Sequence, residues 1–247
     1  MREDTDAFHY LSGAILHQTI VGGDIRLALC GIDNQRLDFI ATAAQLDAGR
    51  EARATQPGDA ELMKNNICDF IGVNYYKREM VAANYDVDGF EMNTSGQKGS
   101  GKELGWKGLF KLVRNPNGRY TDWDWEIYPE GLTDAIMRIN KRYGNVPIYI
   151  TENGLGAKDP IVNGEVLDQP RIDYLREHIQ ATGEAIKLGA DVRGYYPWSF
   201  IDLLSWLNGY QKQYGFVYID QANGLARKKK LSFGWYQDVI RSNGEKL

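Results

Sequence analysis

Four short apolar segments, separated by helical patterns, constrain the fold of this chain more than any other feature. Each segment is largely apolar rather than alternating, which is typical of strands buried in a parallel sheet. The predicted strands cover residues 24–31, 69–76, 146–152 and 191–200, and the predicted helices cover 6–20, 34–49, 129–144, 170–189 and 231–242. Strands that alternate with helices indicate an α/β fold with a parallel sheet.

Polar side chains follow several of these strands at their C-terminal ends, namely Asn74, Tyr76, Glu152 and Trp198. This placement is typical of a (β/α)8 TIM barrel, whose active site is built at that face. Four strand–helix units amount to half of such a barrel. We therefore expect a half-barrel with exposed sheet edges. The polar, glycine-rich segment 84–124 is predicted to be one long loop.

Composition excludes several classes of function. The net charge of −4 gives no general attraction to nucleic acid or to acidic membranes. No apolar run is long enough for a membrane span, and the charged N-terminus lacks a signal-peptide core, so a cytoplasmic protein is expected. Cys30 and Cys68 are predicted to be buried free thiols, and neither a metal site nor a cofactor is expected. The 6 Trp, 15 Tyr and 8 Phe residues fit a site at which rings stack on sugars.

Glu152 is the strongest catalytic candidate because a carboxylate at the end of a buried strand is costly unless it is paired or used. Asn74 and Tyr76 are two positions apart, so their side chains should point to the same side of their strand. The Tyr76 phenol could then hold a carboxylate by a hydrogen bond. The alternatives are a structural glutamate and a core tyrosine.

Ser205, Lys212 and Tyr214 place a hydroxyl, an ammonium and a phenol on one short segment, which suggests a site for an oxyanion. Trp198 and Trp206 could be sugar platforms or core residues. Three further interpretations are structural: Asp202 fixes a loop through its backbone, His178 is surface-exposed or satisfied within its helix, and the run Arg227–Lys230 is a solvated face.

Four motifs resemble family 1 glycoside hydrolases, the retaining β-glycosidases. They are "DFIGVNYY" (69–76), "TDWDWEIYPEGL" (121–132), "IYITENGLG" (148–156) and "GYYPWSFIDLLSWLNGYQKQYGFVYID" (194–220). The resemblance implies the C-terminal half of a TIM barrel over residues 59–247. Residues 1–58 stay unassigned, although 6–31 are similar, in altered form, to the region of the fifth strand.

The resemblance also implies roles for the candidate residues. Glu152 would be the nucleophile and Tyr76 would orient it, while Asn74, Trp198 and Trp206 would contact the sugar. The pattern Ser205-x6-Lys212-x-Tyr214 is similar to the phosphate-binding loop of the 6-phospho-β-glycosidase branch, so a phosphorylated β-glycoside is the expected substrate. Trp206 leaves the gluco or galacto configuration of the sugar open, although the surrounding segment looks more like the 6-phospho-β-glucosidases.

The acid/base motif of the family, T-x-N-E-P, is missing, because no Asn-Glu pair occurs in the chain. Retaining hydrolysis needs two carboxylates. We therefore expect self-association or a complementary half-barrel. The alternative functions are a non-catalytic phosphosugar-binding fragment and a scaffold half-barrel. An aldolase-like barrel is disfavoured because no lysine ends a predicted strand in a suitable place.

Overall fold

The computed structural model describes residues 16–21, 24–29, 57–65, 67–86, 88–89, 93–101 and 105–247. The predicted helix 34–49, most of the predicted helix 6–20 and Cys30 lie outside these ranges. The helices are α1 (Asp59–Asn65), α2 (Glu130–Tyr143), α3 (Gln169–Lys187) and α4 (Leu231–Arg241). The strands are β1 (Leu16–Val21), β2 (Asp24–Leu29), β3 (Ile71–Asn74), β4 (Met80–Ala83), β5 (Gly105–Trp106), β6 (Phe110–Val113), β7 (Arg119–Tyr120), β8 (Glu126–Ile127), β9 (Ile148–Asn153), β10 (Val192–Pro197), β11 (Val217–Asp220) and β12 (Ala226–Lys229).

A parallel sheet with the strand order β10–β9–β3 forms the centre of the described part of the chain. Its strands match three of the four predicted segments, with β9 ending one residue beyond its segment, so these strand predictions are confirmed. In the register, Ile150 of β9 lies opposite Val73 of β3 and Tyr195 of β10. The three strands therefore end at the same edge, where the candidate site residues follow.

Helices α2 and α3 cover one face of this sheet. Val73 and Ile150 pack against Leu132 and Ile136 of α2, and all four are fully buried. Leu132 and Ile136 are four positions apart, so they lie on one helix face. Each such side chain stabilises the fold by about 1.5–3 kcal/mol relative to an exposed one. Helix α2 ends at Gly144, whose φ of 76° is easily adopted by glycine.

The opposite face of the sheet carries exposed aromatic side chains. Phe70 packs edge-on against Tyr149 with ring centroids 5.2 Å apart, and Tyr149 lies 6.5 Å from Tyr196. Phe70 is 53% exposed and Tyr196 is 56% exposed. We name Phe70, Tyr149 and Tyr196 the aromatic face. Successive residues of a strand point to opposite sides, so the aromatic face lies away from α2 and α3.

The predictions for the N-terminal part were right in one element and wrong in another. The predicted strand 24–31 is confirmed as a strand by β2, whereas the predicted helix 6–20 is contradicted where the structure describes it. Residues 16–20, predicted as the end of a helix, lie in β1, and β1 pairs antiparallel with β2 rather than joining a parallel sheet. Three consecutive β-branched residues, Thr19, Ile20 and Val21, favour a strand over a helix here.

The segment 84–124 was predicted as one loop, but it contains three short strands. Strands β5 and β6 form an antiparallel sheet with β4, in the order β4–β6–β5, and β7 pairs antiparallel with β8. The Asp124 carboxylate links three other positions of the segment by hydrogen bonds. It accepts from Gly99 N at 2.7 Å and from Asn93 Nδ2 and Arg114 Nη1 at 2.8 Å. Cys68 is free as predicted but exposed rather than buried. No helix within the described ranges has the length and apolarity that a membrane crossing needs.

Candidate active site

Glu152 and Tyr76 meet at the C-terminal edge of the sheet. Glu152 lies near the end of β9, and its backbone oxygen accepts a hydrogen bond from Tyr75 N at 2.9 Å. The Tyr76 hydroxyl donates to Glu152 Oε2 at 2.7 Å. Burial, and then the hydrogen bond to Glu152, raise the pKa of Tyr76 far above its ordinary value. The phenol therefore stays protonated and donates to the carboxylate, leaving the other carboxylate oxygen for chemistry.

Asn74 ends β3 and lies opposite Glu152 in the register. Its Oδ1 accepts a hydrogen bond from Thr151 Oγ1 at 2.6 Å. Val73 and Tyr75 are buried in the core, so the alternation of the chain places Asn74 and Tyr76 on the other side, as the spacing predicts.

A buried asparagine fixes the strand ends behind the site. Asn153 is fully buried and donates to Tyr75 O at 2.7 Å and to Tyr174 Oη at 3.2 Å. The Tyr195 hydroxyl donates to Asn153 Oδ1, and the Tyr174 hydroxyl donates to Tyr76 O at 2.9 Å. The ends of β3, β9 and β10 are thus bound to one side chain and to helix α3, which limits the movement of Glu152.

The turn after Glu152 contacts the segment after β10 directly. A Cβ atom added to Gly154 would lie 1.8 Å from the backbone oxygen of Trp198, so only glycine permits this approach. Trp198 N donates to Asn153 O at 2.9 Å, and the Trp198–Ser199 peptide bond is cis. Trp198 is 38% exposed. The backbone of Trp198, the candidate sugar platform, therefore lies against the residues that follow Glu152.

Lys212 is only 2% exposed, and its ammonium lies among aromatic rings. Lys212 Nζ is 3.6 Å from the ring centroid of Trp125, 5.0 Å from that of Trp123 and 5.5 Å from that of Tyr214. Burial, assisted by the neighbouring charge of Lys77, lowers the pKa of Lys212 to about 7. An anion bound at this ammonium would favour its protonated form.

Trp125 connects the two halves of the site, and sequence reasoning did not single it out. Its ring contacts the Tyr76 ring edge-on, with centroids 5.7 Å apart. Trp125 therefore touches both the tyrosine that holds Glu152 and the ammonium of Lys212. The signal was present in the motif "TDWDWEIYPEGL", where Trp123 and Trp125 alternate with carboxylates.

The structure brings Lys212 and Tyr214 together, whereas Ser205 and Trp206 lie in a separate turn. Burial raises the pKa of Tyr214 well above its ordinary value, so its phenol remains a donor. Ser205 exchanges backbone hydrogen bonds of 2.9 and 2.8 Å with Gly209, and its hydroxyl accepts from Asn208 Nδ2 at 3.1 Å. Trp206 is 96% exposed. The phosphate contact of Ser205 and the sugar contact of Trp206 stay predictions.

Other predicted roles differ from the structure in part. Asp202 is structural as predicted, because its Oδ1 accepts from Gly215 N at 2.9 Å. Lys230 was predicted to be solvated but is buried, and it forms ion pairs with Asp159 and Asp202. His178 is buried; its Nδ1 donates to Tyr174 O at 2.7 Å, and Nε2 has no hydrogen-bond partner. Within the described ranges, no cluster of His, Cys, Asp and Glu side chains could hold a metal ion.

Known sequences place this site in a family. The sequence model of "Glycosyl hydrolase family 1" matches residues 4–245, a range that begins within the segment left unassigned by the motifs. The aryl-phospho-beta-D-glucosidase BglC of Bacillus subtilis is 49% identical over 203 residues, which are 79% of this chain and 42% of that protein. The 6-phospho-beta-galactosidase of Leptotrichia buccalis is 45% identical over 69% of this chain and 36% of that protein. The chain thus spans about two fifths of the length of these curated relatives.

Solved structures agree with this placement. A family 1 β-glucosidase from Thermotoga maritima aligns with a TM-score of 0.61 at 33% identity, over 71% of this chain and 35% of that chain. The AHE enzyme from Alicyclobacillus herbarius aligns with a TM-score of 0.67 at 29% identity, over 83% of this chain and 41% of that chain. By sequence and by fold, this chain belongs to glycosyl hydrolase family 1.

Proposed function

We propose that this chain is the nucleophile-bearing half-barrel of a retaining β-glycosidase that hydrolyses 6-phospho-β-glucosides. The observation that carries the proposal is the hydrogen bond from Tyr76 to Glu152 at the C-terminal edge of the sheet, where enzymes with parallel barrels place their chemistry. The names of the relatives, which include a phospho-glucosidase and a phospho-galactosidase, support a phosphorylated substrate.

In this mechanism, Glu152 attacks the anomeric carbon of the sugar. A bond forms from the free carboxylate oxygen to that carbon while the bond to the aglycone oxygen breaks, giving a covalent glycosyl-enzyme. Tyr76 holds the other carboxylate oxygen, and Asn74 lies opposite Glu152 in the register. A water molecule then displaces Glu152 and releases the sugar with its original configuration.

The phosphate is held by donors rather than by carboxylates. Lys212 supplies a charge and Tyr214 a phenol, and we propose that Ser205 adds its hydroxyl when the ligand binds. Trp198 and Trp206 would pack on the sugar. Burial lowers the pKa of Lys212 to about 7, so the side chain is partly a neutral amine near pH 7. Binding of a phosphate dianion favours protonation of this amine to the ammonium form. The motif around Ser205 resembles the gluco rather than the galacto branch, so we propose the gluco substrate.

The test uses 4-nitrophenyl 6-phospho-β-D-glucoside beside the unphosphorylated glucoside, each with and without azide. The aryl leaving group needs little acid assistance, so Glu152 alone can form the intermediate. Azide then replaces the water that a missing acid/base would activate. We expect release that prefers the phosphorylated substrate, rises with azide and falls by about 10³-fold or more in Glu152→Gln.

Lys212→Ala should remove the preference for the phosphorylated substrate, whereas Lys228→Ala, at an exposed lysine, should keep it. Release that persists in Glu152→Gln would contradict the proposed nucleophile. If neither substrate is cleaved, the catalytic proposal is wrong for this chain. Binding of glucose 6-phosphate that is lost in Lys212→Ala would then identify the phosphosugar-binding alternative.

We propose that the acid/base comes from another polypeptide segment, since the sequence contains no Asn-Glu pair like that of the family's acid/base motif. This other segment could bind to the aromatic face and to the edges of the parallel sheet. Two side chains of the aromatic face, Phe70 and Tyr196, are more than half exposed, and burying them would be favourable. We propose that this face binds the other half of a barrel, and that two copies of the purified chain associate through it.

Sedimentation velocity should show a dimer that dissociates in Tyr196→Ser, because this change removes a large apolar side chain from the aromatic face. The control Tyr143→Ser changes a tyrosine of similar exposure on α2, the opposite side of the sheet, and should leave the dimer intact. A single monomeric species with cooperative thermal unfolding in the unaltered chain would contradict the proposed association.

A further inference from the structure

A cluster of five buried charges lies behind the candidate site. Its members, none more than 7% exposed, are Asp159, Asp168, Arg171, Asp202 and Lys230. They come from separate parts of the chain: the turn after Glu152, the start of α3, the segment after β10 and the start of α4. Each charge has an opposite partner within 3 Å. We name this set the buried charge cluster.

Arg171 bridges the turn after Glu152 and the segment that carries Lys212 and Tyr214. Its Nη1 donates to Leu155 O in that turn, and also to Tyr214 O at 3.1 Å. Its Nη2 donates to Asp159 Oδ2 and to Gln213 O at 3.3 Å. One guanidinium therefore holds the backbone on both sides of the site.

Lys230 makes a second bridge between the same two segments. Its Nζ donates to Asp159 Oδ2 at 2.6 Å and to Asp202 Oδ1 at 2.7 Å. Gln213 adds a third, because its Oε1 accepts from Asp159 N at 2.8 Å and its Nε2 donates to Asp202 Oδ2 at 3.1 Å. Backbone bonds of 2.9 Å between Ala157 and Gln213, in both directions, complete the connection.

The segments also touch across the site itself. A Cβ atom on Gly156 would lie 2.4 Å from Lys212 Cε, so the stem of Lys212 rests on the turn that follows Glu152. Any movement of one segment relative to the other would change the separation between the nucleophile and the ammonium. In reactions between bound groups, a displacement of about 1 Å can cost about 10²-fold in rate.

From these contacts we propose that Arg171 and Lys230 are positioning residues that set the separation between Glu152 and the anion held by Lys212. This inference rests on the proposed function and adds how the preference for a phosphorylated sugar is maintained. Buried ion pairs contribute little net stability compared with apolar packing. Their value here is that they fix one relative placement of two segments that bind different parts of the same substrate.

The test compares Lys230→Met with Lys228→Met, two changes in the same run of basic residues. The side chain of Lys228 is 38% exposed, and its Nζ lies 3.8 Å from Asp220 Oδ2, outside the buried charge cluster. We expect Lys230→Met to lower the ratio of kcat/KM for the phosphorylated over the unphosphorylated aryl glucoside by about tenfold. Lys228→Met should leave this ratio unchanged. An equal loss on both substrates in Lys230→Met would mean a merely structural role and would overturn the inference.

Two provisions keep the test decisive. If Lys230→Met does not fold, Gln213→Ala removes the side-chain bonds to Asp159 and Asp202 and keeps the backbone pair with Ala157. If the unaltered chain cleaves neither substrate, the proposed function is wrong, but the positioning role can still be tested. Amide hydrogen exchange then measures whether Lys230 holds the turn after Glu152 and the segment that carries Lys212 together. The amides of Ala157 and Gln213 should then lose protection together in Lys230→Met and not in Lys228→Met; unchanged protection would overturn it.

Discussion

Replacing Arg171 by methionine is expected to lower the free energy of unfolding by about 3–5 kcal/mol, the range for removing one partner of a buried ion pair. Arg171 is 1% exposed, and its loss leaves the Asp168 carboxylate without a cation. The backbone oxygens of Leu155 and Tyr214 lose a donor in the same change. Urea unfolding followed by circular dichroism measures the difference.

Helix α3 supplies a matched control. Arg171 pairs with Asp168 three positions before it, and Arg176 pairs with Asp173 at the same spacing, but the side chains of the second pair are 31% and 52% exposed. Arg176→Met should therefore cost less than about 1 kcal/mol. Similar losses in the two variants would contradict the importance given to the buried charge cluster.

Acidification from pH 7.5 to pH 4 is expected to destabilise the protein by up to about 3 kcal/mol through His178 alone. Burial lowers the pKa of His178 from 6.5 to about 4. Between these two values the unfolded chain binds a proton that the folded chain does not, so the free energy of unfolding falls as the pH falls through this window. The pKa difference of about 2.5 corresponds to about 3.4 kcal/mol at 1.36 kcal/mol per pH unit. About 3 kcal/mol of this is lost by pH 4, where His178 of the folded protein is half protonated.

His178→Phe tests this dependence. Phenylalanine keeps an aromatic ring against Tyr174, whose ring lies 4.0 Å from that of His178, and it removes the nitrogen that has no partner. Urea unfolding at pH 7.5 and at several values down to pH 4 should show a smaller loss in the variant. Parallel curves for the two proteins would rule out His178 as the source.

Sequence periodicity predicted the strands and helices that have a clear apolar pattern. Strands β3, β9 and β10 come from largely apolar segments and contribute residues to the core or pack against it, and α2 repeats apolar residues at helical spacing, so local patterns suffice to find them. The strand β1 was misread because a six-residue segment of mixed polarity is too short to distinguish the helical period from the strand period. Strands β5 and β7 have only two residues each, which is too short for any period to emerge.

The sequence indicated the candidate residues and the hydrogen bond from Tyr76 to a carboxylate, but not the buried ion pairs around them. Glu152, Tyr76 and Lys212 follow from strand ends and from the family motifs. The burial of Lys230 could not be predicted, because its partners Asp159 and Asp202 are 71 and 28 positions away. A basic residue in a basic run normally remains in water, and only tertiary contacts with distant carboxylates reverse that preference.

The hydrogen bond between Tyr76 and Glu152 also has a consequence for synthesis of the chain. It joins residues 76 positions apart, so a ribosome that adds about 5–20 residues per second completes Tyr76 roughly 4–15 s before Glu152. Strands β4 to β8 and helix α2 are made in between. During that interval β3 has no parallel neighbour in β9 and presents an open edge to other nascent chains. Glu152 and Tyr76 can therefore meet only after the intervening antiparallel strands have been synthesised, which makes this pairing a late event in folding on the ribosome.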